Sequence, residues 1–249
     1  MTKKRYSYWE NRHLEHVKNL TAKAIREFGM IEEGDKVLVA VSGGKDSLVL
    51  LDAIAGFRKF GIVDFSIEAI HIDVADVPYS VNRNYLEKYC NELDVPFRFE
   101  TIEADIERRG KKAPCFVCSW HRRKTLFSYA KNNGFKKLAL GHHMDDAVET
   151  LLVNMAYHGN ISSLPGKLKM FDGMLWLIRP LILLRDSDTR KYAGIRGFEL
   201  TEEECPYADT TSRTVARNLL EEMKRLHPKA VENMFRSMSR IDDEYLPKL

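Results

Sequence analysis

The chain has 249 residues, of which 44% are hydrophobic and 30% are charged, so it is neither a coiled rod nor a disordered tail. Its 39 basic and 36 acidic residues leave a formal net charge of +3, which does not by itself require a nucleic-acid partner. No run approaches the roughly 20 apolar residues of a bilayer span, and the first residues lack a signal peptide's apolar stretch, so we expect a cytoplasmic protein without a membrane partner.

The predicted elements begin with a helix from Asn11 to Phe28, where apolar residues recur at helical spacing. From Asp35 onward, apolar runs of strand length alternate with amphipathic helical stretches, which predicts βα units around a buried parallel sheet. The predicted strands are Lys36 to Val41, Phe65 to Ile72, Pro96 to Thr101 and Lys136 to Gly141. The intervening helices are predicted to begin near Asp46, Pro78 and Ser119 and after Met144, the last with an apolar face of Val148, Leu151, Leu152 and Met155.

Beyond the fourth strand, Asp172-Gly173 stands between two apolar segments, which predicts a hairpin with a type I′ turn. Helical patterns then continue to the end of the chain. The predicted fold is α/β, a doubly wound parallel sheet with an N-terminal helix and a small helical C-terminal extension. The predicted segments are a helical segment over 1–34, a sheet domain over 35–185 that includes a CxxC motif, and an extension over 186–249 that carries Cys205.

The first predicted strand leads directly into a glycine turn, in the sequence VLVAVSGGKDSLVLL. Gly43 and Gly44 let the backbone approach a ligand closely, and the amides of a helix N-terminus favour an anion, so we expect an oligophosphate here. The common nucleoside triphosphatase loop would need glycine in place of Val39 and Ser or Thr in place of Asp46. An ordinary glycine turn before a capped helix is the alternative.

Four cysteines are too few to staple a chain of this length, which favours a reduced set that binds metal or does redox chemistry. Cys115 and Cys118 form a CxxC pair beside several basic residues that favour thiolates. Cys205 could complete a three-thiolate set, which suits a [4Fe-4S] cluster, whereas structural zinc needs a fourth ligand. Cys90 lies on an apolar helical face and is predicted to pack in the core. Unconnected buried thiols are the remaining alternative.

The segment GHHMDD follows the fourth predicted strand, so its polar side chains should collect at the carboxyl edge of the sheet. Core or capping roles are expected for His142 and His143 rather than metal binding. One of Asp145 and Asp146 is expected to cap the next helix, which leaves the other for magnesium or catalysis.

Basic residues surround the CxxC pair without any acidic residue between 108 and 124, and Trp120 lies among them. Basic side chains with an aromatic suit phosphate contacts and base stacking, so we expect RNA binding here, with a solvated basic face as the alternative. The residues are Arg108, Arg109, Lys111, Lys112, Arg122, Arg123 and Lys124.

The string SGGKDS resembles the PP-loop motif of ATP pyrophosphatases, which split ATP between its α and β phosphates and adenylylate a substrate oxygen. The resemblance implies that Asp46 acts through magnesium or by orienting the ligand. It implies phosphate contacts by Ser42, Gly43, Gly44, Lys45 and Ser47, and a nucleotide pocket completed by Ala40, His71, Ile72 and Gly141.

The order of SGGKDS, CxxC before a basic helix, GHHMDD, IRPL and a late cysteine is similar to that of the tRNA 2-thiocytidine synthetase family. That resemblance implies an ATP- and magnesium-dependent enzyme, typically a homodimer, that places sulfur on cytidine 32 of tRNA with a [4Fe-4S] cluster and a sulfur donor such as a cysteine desulfurase. The implied cluster ligands are Cys115, Cys118 and Cys205, and the implied further catalytic residues are Arg122 and Asp146.

Two other functions remain open at this point. A cluster-free PP-loop ligase, such as a tRNA lysidine synthetase-like enzyme, would not need three thiolates. A noncatalytic RNA-binding protein with structural zinc would release no pyrophosphate from ATP.

Overall fold

A six-stranded sheet forms the centre of the computed structural model, which describes residues 5–77, 81–105, 113–200 and 212–245. The strands are β1 (Lys36–Ala40), β2 (Ser66–Val74), β3 (Phe97–Ile102), β4 (Lys137–Ala139), β5 (Lys167–Met170) and β6 (Leu175–Ile178). The helices are α1 (Tyr8–Glu27), α2 (Lys45–Lys59), α3 (Arg83–Glu92), α4 (Pro114–Asn132), α5 (Met144–His158), α6 (Asp186–Arg196), α7 (Ser212–Leu226) and α8 (Ala230–Ser237).

The strand order is β3-β2-β1-β4-β6-β5, and every neighbouring pair is parallel except β5 and β6. The predicted doubly wound parallel sheet is therefore confirmed, with one antiparallel strand at its edge. The chain moves outward from β1 to β3 and then returns to the other side of β1 with β4. Open α/β sheets bind ligands where the strand order reverses in this way, so the carboxyl ends of β1 and β4 mark the expected site.

The central strand β1 is covered on both faces, since Val37, Leu38 and Val39 are fully buried. One face packs against α4 through a cluster that includes Leu38, Leu126 and Leu138. Helices α1, α2 and α6 pack against one another in the same compact unit. Burying a large aliphatic side chain contributes about 1.5–3 kcal/mol, so this two-faced burial stabilises the strand that carries the glycine turn.

Two predicted helix starts are corrected by the structure. Helix α4 begins at Pro114 rather than near Ser119, because proline at the first helical position has a suitable φ and needs no amide partner. Helix α3 begins at Arg83 rather than near Pro78, because the Asn82 side chain accepts a hydrogen bond from the Tyr85 amide at 3.1 Å and caps the helix there.

The predicted hairpin is confirmed, but its turn is longer than the predicted type I′ turn. Met170 pairs with Leu175, which leaves four residues, 171–174, in the loop. Phe171, Asp172 and Gly173 all have positive φ, at 49°, 54° and 95°. Three successive left-handed residues exceed the two that a type I′ turn requires.

The chain divides into two compact units. The first comprises 1–143 and 166–208 and contains the sheet, and the second comprises 144–165 and 209–249. In the second unit α5, α7 and α8 pack around Met144, Val148 and Leu220, whereas Met155, predicted for the apolar face of α5, is 50% exposed. The three segments predicted from the sequence stay a prediction. Within the described ranges, no helix has the length and apolar character that crossing a membrane requires.

Candidate functional site

The glycine turn lies at the carboxyl end of β1, between that strand and α2, as predicted. Gly43 has a φ of 83°, which a residue with a side chain rarely adopts. The Ser47 hydroxyl closes the turn, since it accepts a hydrogen bond from the Ser42 amide at 3.1 Å and donates one to the Gly44 carbonyl at 2.8 Å. These contacts hold the backbone of Ser42 to Ser47 in one conformation.

No side chain caps the N-terminus of α2, where Gly44 occupies the N-cap position. The first amides of a helix have no partner within the helix, and the helix dipole places partial positive charge at the same point. An uncapped helix start after a glycine turn therefore suits a phosphate group. The structure thus favours the ligand-binding interpretation of this turn over the capped-helix alternative.

Gly141 supports the turn from the end of β4. A Cβ at this position would lie 3.1 Å from the backbone carbonyl carbon and oxygen of Asp46 and 3.2 Å from the Ser47 amide nitrogen. These distances are shorter than ordinary van der Waals contact, so the first turn of α2 can approach β4 this closely because residue 141 has no side chain. The contact confirms that the β1 and β4 ends meet.

Lys45, Asp46 and Asp186 form a cluster of charges beside the turn, which we call the Lys45 cluster. The Lys45 ammonium lies 2.8 Å from both Asp46 carboxylate oxygens and 2.7 Å from Asp186 Oδ1. Burial by itself lowers the pKa of Lys45, but the Asp46 charge and the hydrogen bond to Asp186 raise it overall, so the ammonium form is favoured.

Asp186 is the first residue of α6, and it also contacts the Arg190 guanidinium at 2.7 Å. Burial tends to raise the pKa of this carboxyl group, but the hydrogen bonds from Arg190 and Lys45 hold it well below its usual range. The buried His143 imidazole completes the surroundings, with Nε2 3.7 Å from Asp186 Oδ1 and 3.9 Å from Asp46 Oδ1.

The Lys45 cluster also has a donor set that a divalent cation can use. Donor atoms of Asp46, His143 and Asp186 all lie within 4.8 Å of one another. Two carboxylates suit magnesium, which is usually held by one or two carboxylates together with substrate phosphates. The Lys45 ammonium bonds both carboxylates, so a cation would have to share them with it or replace it.

The other residues predicted for the nucleotide pocket lie at or near the carboxyl ends of β1 and β2. Ala40 is half-buried, and His71 and Ile72 are buried. His71 Nδ1 lies 2.7 Å from the Val41 carbonyl, and burial lowers the pKa of the imidazole, with the Arg122 guanidinium lowering it further. The neutral imidazole therefore donates to the backbone just before the turn, which makes His71 a support for the turn's entry strand.

The CxxC pair lies at the start of α4, with Cys115 in the first turn and Cys118 three residues later. Both side chains are half-buried, and Cys118 packs beside the buried residues Val74, Val77 and Ala104. The first turn of α4 contains no acidic residue and no side chain caps it, so the helix dipole favours thiolates there. Cys205 lies outside the described residues.

Only some of the predicted RNA-binding residues fall within the described ranges. Arg123 and Lys124 are exposed on α4, and Arg122 is half-buried one turn after Cys118. The others, Arg108, Arg109, Lys111 and Lys112, lie outside the described residues.

The acidic pair of GHHMDD lies in the first turn of α5, in the second unit. Asp145 is buried, and its carboxylate lies 3.1 Å from the Lys224 ammonium of α7. Asp146 is half-buried, and its carbonyl accepts a hydrogen bond from the Thr150 hydroxyl at 2.8 Å. Asp145 is therefore used within the helical unit, and a catalytic role for Asp146 stays a prediction.

Cys90 packs in the core, as predicted. Its side chain is fully buried on α3 beside Leu86 and Tyr89, and burial raises the pKa of the thiol to about 12. A thiol of this kind is uncharged near neutral pH, which makes it a poor metal ligand.

Asp186 was missed by the sequence analysis. It lies 140 residues after Asp46 in a segment without a recognisable motif, and it reaches Lys45 because α6 packs against α2. The available signal was an acidic residue at the start of a predicted helix shortly after IRPL, which is too common a pattern to indicate a site.

Comparison with known families matches residues 12–223 to a family described as the PP-loop domain. Two similar proteins are each named tRNA-cytidine(32) 2-sulfurtransferase. That of Herminiimonas arsenicoxydans is 36% identical, over 90% of this chain and 71% of its own length. That of Polynucleobacter asymbioticus is 37% identical, over 95% of this chain and 80% of its own length.

Among solved structures, the fold is similar to that of the U34-tRNA thiolase NcsA from Methanococcus maripaludis, a structure described with its [4Fe-4S] cluster. The TM-score is 0.76 at 20% sequence identity, and the match covers 96% of this chain and 81% of the other. At this identity the likeness concerns the fold alone.

Proposed function

Because the chain belongs to the tRNA-cytidine(32) 2-sulfurtransferase family of PP-loop domain proteins, we propose that it uses ATP to replace the 2-oxygen of cytidine 32 in tRNA with sulfur. The observation that carries the proposal is the uncapped glycine turn between β1 and α2, with the Lys45 ammonium beside it. It supplies the phosphate chemistry that activation of the cytosine oxygen requires. The half-buried CxxC pair on α4 supplies the sulfur chemistry.

We assign the ATP phosphates to the turn from Ser42 to Ser47. The fit of the site supports this, because Gly43, Gly44 and Gly141 keep side chains away from the backbone and no side chain occupies the cap of α2. The adenine is assigned to the strand ends near Ala40 and Ile72.

The Lys45 ammonium is assigned to the phosphates on which charge develops as pyrophosphate leaves. A positioned cation of this kind in a partly desolvated site stabilises the transition state more than it stabilises bound ATP. Asp46, with Asp186 and His143, would hold magnesium, which when bound neutralises further phosphate charge.

We assign a [4Fe-4S] cluster to Cys115, Cys118 and Cys205. The chemistry of Cys115 and Cys118 fits such a cluster. The two thiols are three residues apart near the N-terminus of α4, where the helix dipole favours the thiolate form that ligates iron. When bound, a cluster with three protein ligands supplies an iron at which sulfur stays deprotonated. Arg122, one turn beyond Cys118, brings a fixed positive charge toward the same region.

The proposed reaction has two balanced steps. The cytosine 2-oxygen attacks the α-phosphorus of ATP, and pyrophosphate leaves. A sulfur nucleophile at the oxidation level of sulfide then attacks carbon 2. It comes from the persulfide of a donor such as a cysteine desulfurase, released by a thiol reductant that supplies two electrons and is oxidised to a disulfide. AMP leaves with the former 2-oxygen, and Arg122 and Asp146 are proposed as the residues that stabilise charge or accept a proton.

The experiment that tests this function uses anaerobically purified chain with ATP, magnesium, tRNA and a sulfide source. Nucleoside mass spectrometry measures 2-thiocytidine, and a separate assay measures tRNA-dependent pyrophosphate release. We expect both products from the wild type. Lys45→Met should lower both by about 100-fold or more, because it removes a transition-state cation, while Lys59→Met at the far end of α2 serves as the matched control.

The cysteines provide the second arm. Cys115→Ala, Cys118→Ala and Cys205→Ala should each abolish 2-thiocytidine formation and lower the iron and sulfide content, while Cys90→Ala should keep both. Full thiolation by all three variants would refute the cluster assignment. Pyrophosphate release without any thiolated nucleoside would instead favour the ligase alternative, and release of neither product would favour an RNA-binding protein.

A further inference from the structure

A groove runs along α4 on the first unit, between that helix and the β5–β6 hairpin, with a volume of about 870 Å³. We call it the α4 groove. Its floor is apolar and includes the buried residues Phe135, Leu175 and Leu177. The mechanism proposed above does not use it.

Large apolar side chains remain exposed around this groove. Phe116 and Trp120 on α4 are 52% and 47% exposed, and Phe171 and Met174 in the hairpin loop are 49% and 63% exposed. Exposed apolar side chains grouped around a concave surface mark a binding site more often than isolated ones do. Phe171 is also held in place, since its ring meets the Phe127 ring edge-on at a centroid distance of 5.5 Å.

The charge of the groove has one sign. Arg123, Lys124, Lys131 and Arg179 line it, and no acidic residue does so within the part of the chain that the structure describes. The Lys124 ammonium lies over the Trp120 ring, 5.2 Å from its centroid. A second copy of this chain would bring the same basic residues to a symmetric contact, where like charges repel. The groove instead suits a polyanion with flat apolar faces, which describes an unpaired stretch of RNA.

The groove shares helix α4 with the CxxC pair but not the same side of it. Phe116 directly follows Cys115, so the first turn of α4 carries both a thiol and a groove-lining aromatic. Because successive helical residues are about 100° apart around the axis, Trp120 lies about 160° from Cys118. An RNA strand in the groove therefore meets a different side of α4 from the one that carries Cys118.

We propose that the α4 groove binds unpaired bases of the substrate RNA by stacking on Trp120 and Phe171 while Lys124 and Arg123 contact phosphates. The inference rests on the proposed function for the identity of the RNA. It adds Phe171 and the hairpin loop to the stacking on α4 that the sequence predicted, and these residues lie outside the assigned ATP and cluster residues.

The test measures binding of the full, anaerobically purified chain to two labelled RNAs. One is a stem–loop that carries cytidine 32 in an unpaired loop, and the other is a fully paired duplex of the same length. Trp120→Ala and Phe171→Ala should each weaken binding to the stem–loop on the order of 5- to 150-fold, the range for losing one stacked base, and leave duplex binding within about twofold. Trp120→Phe should restore most of the affinity.

Phe60→Ala is the matched control, because Phe60 is a 66% exposed phenylalanine at the end of α2, away from the groove. It should leave both affinities unchanged. Equal affinity of wild type, Trp120→Ala and Phe171→Ala for the stem–loop would overturn the proposal. So would a loss of self-association in these variants, measured by light scattering, without a change in RNA affinity, since the groove would then be an interface between copies.

The outcomes separate this inference from the proposed function. Thiolation by the wild type with no effect of the groove variants on stem–loop binding refutes the groove and leaves the function standing. Groove-dependent binding of the stem–loop by a protein that forms no 2-thiocytidine supports the groove and refutes the function.

Discussion

Replacing Asp186 with asparagine tests whether the Lys45 cluster sets up the ammonium for ATP. The change keeps the size of the side chain but removes one of the two carboxylates on Lys45, at 2.7 Å. The Lys45 and Asp186 side chains are 20% and 28% exposed, so the pair lies between an exposed ion pair and a buried one. Exposed ion pairs contribute about 0–1 kcal/mol to stability, and breaking a buried ion pair costs about 3–5 kcal/mol. We therefore expect the loss of the Lys45–Asp186 ion pair to cost about 1–3 kcal/mol.

If that energy positions Lys45 for the leaving pyrophosphate, kcat/KM for tRNA-dependent pyrophosphate release should fall by about 5- to 150-fold. Asp188→Asn is the matched control, because it makes the same charge change two residues along α6. The Asp188 carboxylate accepts a hydrogen bond from the Arg185 amide at 3.0 Å, which asparagine can also do. The control should stay within about twofold of the wild type. Equal losses in both variants, or no loss in Asp186→Asn, would refute the positioning argument.

Three further outcomes are expected. Gly141→Ala should weaken ATP binding measured by calorimetry, because its Cβ would press on the Asp46 backbone at 3.1 Å. The control Gly56→Ala, inside α2, places a Cβ with no atom within 4 Å and should raise the free energy of unfolding by about 0.5–1 kcal/mol. Unchanged ATP affinity in Gly141→Ala would contradict the close approach. Cys90→Ala should lower the free energy of unfolding, measured in urea, by about 1–2 kcal/mol with thiolation kept, and a loss of iron would contradict its core role. The pKa of Asp186 is held below its ordinary value of 3.8, so the carboxylate's contribution to stability is present above that pH and is lost as the pH falls through the lowered pKa. The difference in the free energy of unfolding between wild type and Asp186→Asn should therefore shrink in acid. A difference that grows in acid would contradict the lowered pKa.

The parts of the molecule that the sequence predicted correctly are those set by local pattern. The apolar runs that became β1, β2 and β4 are largely buried strands, and a buried parallel strand needs apolar residues on both faces. Strand β3, at the edge of the sheet, is only partly buried. The glycine turn was recognisable because positive φ at Gly43 and an uncapped helix start both depend on residue type at adjacent positions. Cys90 was predicted to be buried because the apolar residues around it recur at helical spacing, which is also a local pattern.

The parts that were missed depend on tertiary packing or on competition between local signals. At α4, proline at the first helical position places the helix start before the CxxC pair, so the two cysteines lie inside the helix rather than ahead of the start predicted near Ser119. In the hairpin, Asp172-Gly173 was recognised, but the register of β5 with β6 decided the loop length. Register depends on which faces are buried, which a dipeptide signal does not include.

The position of Asp186 follows from how α6 packs against α2. Polar contacts join these helices at two levels. Lys45 contacts Asp186 and Thr189 near the helix starts, and Asp52 contacts Tyr192 and Arg196 further along. The contacts occur in the same order along both helices, so the helices run in the same direction. Seven residues separate Lys45 from Asp52, which is about 10 Å along a helix axis. The second contact is the more buried, since Tyr192 is fully buried and its hydroxyl donates to Asp52 at 2.7 Å. A buried hydrogen bond to a carboxylate is costly to leave unmade, so this contact fixes how far α6 can slide along α2. The carboxylate beside the glycine turn is therefore positioned by a contact two helical turns away.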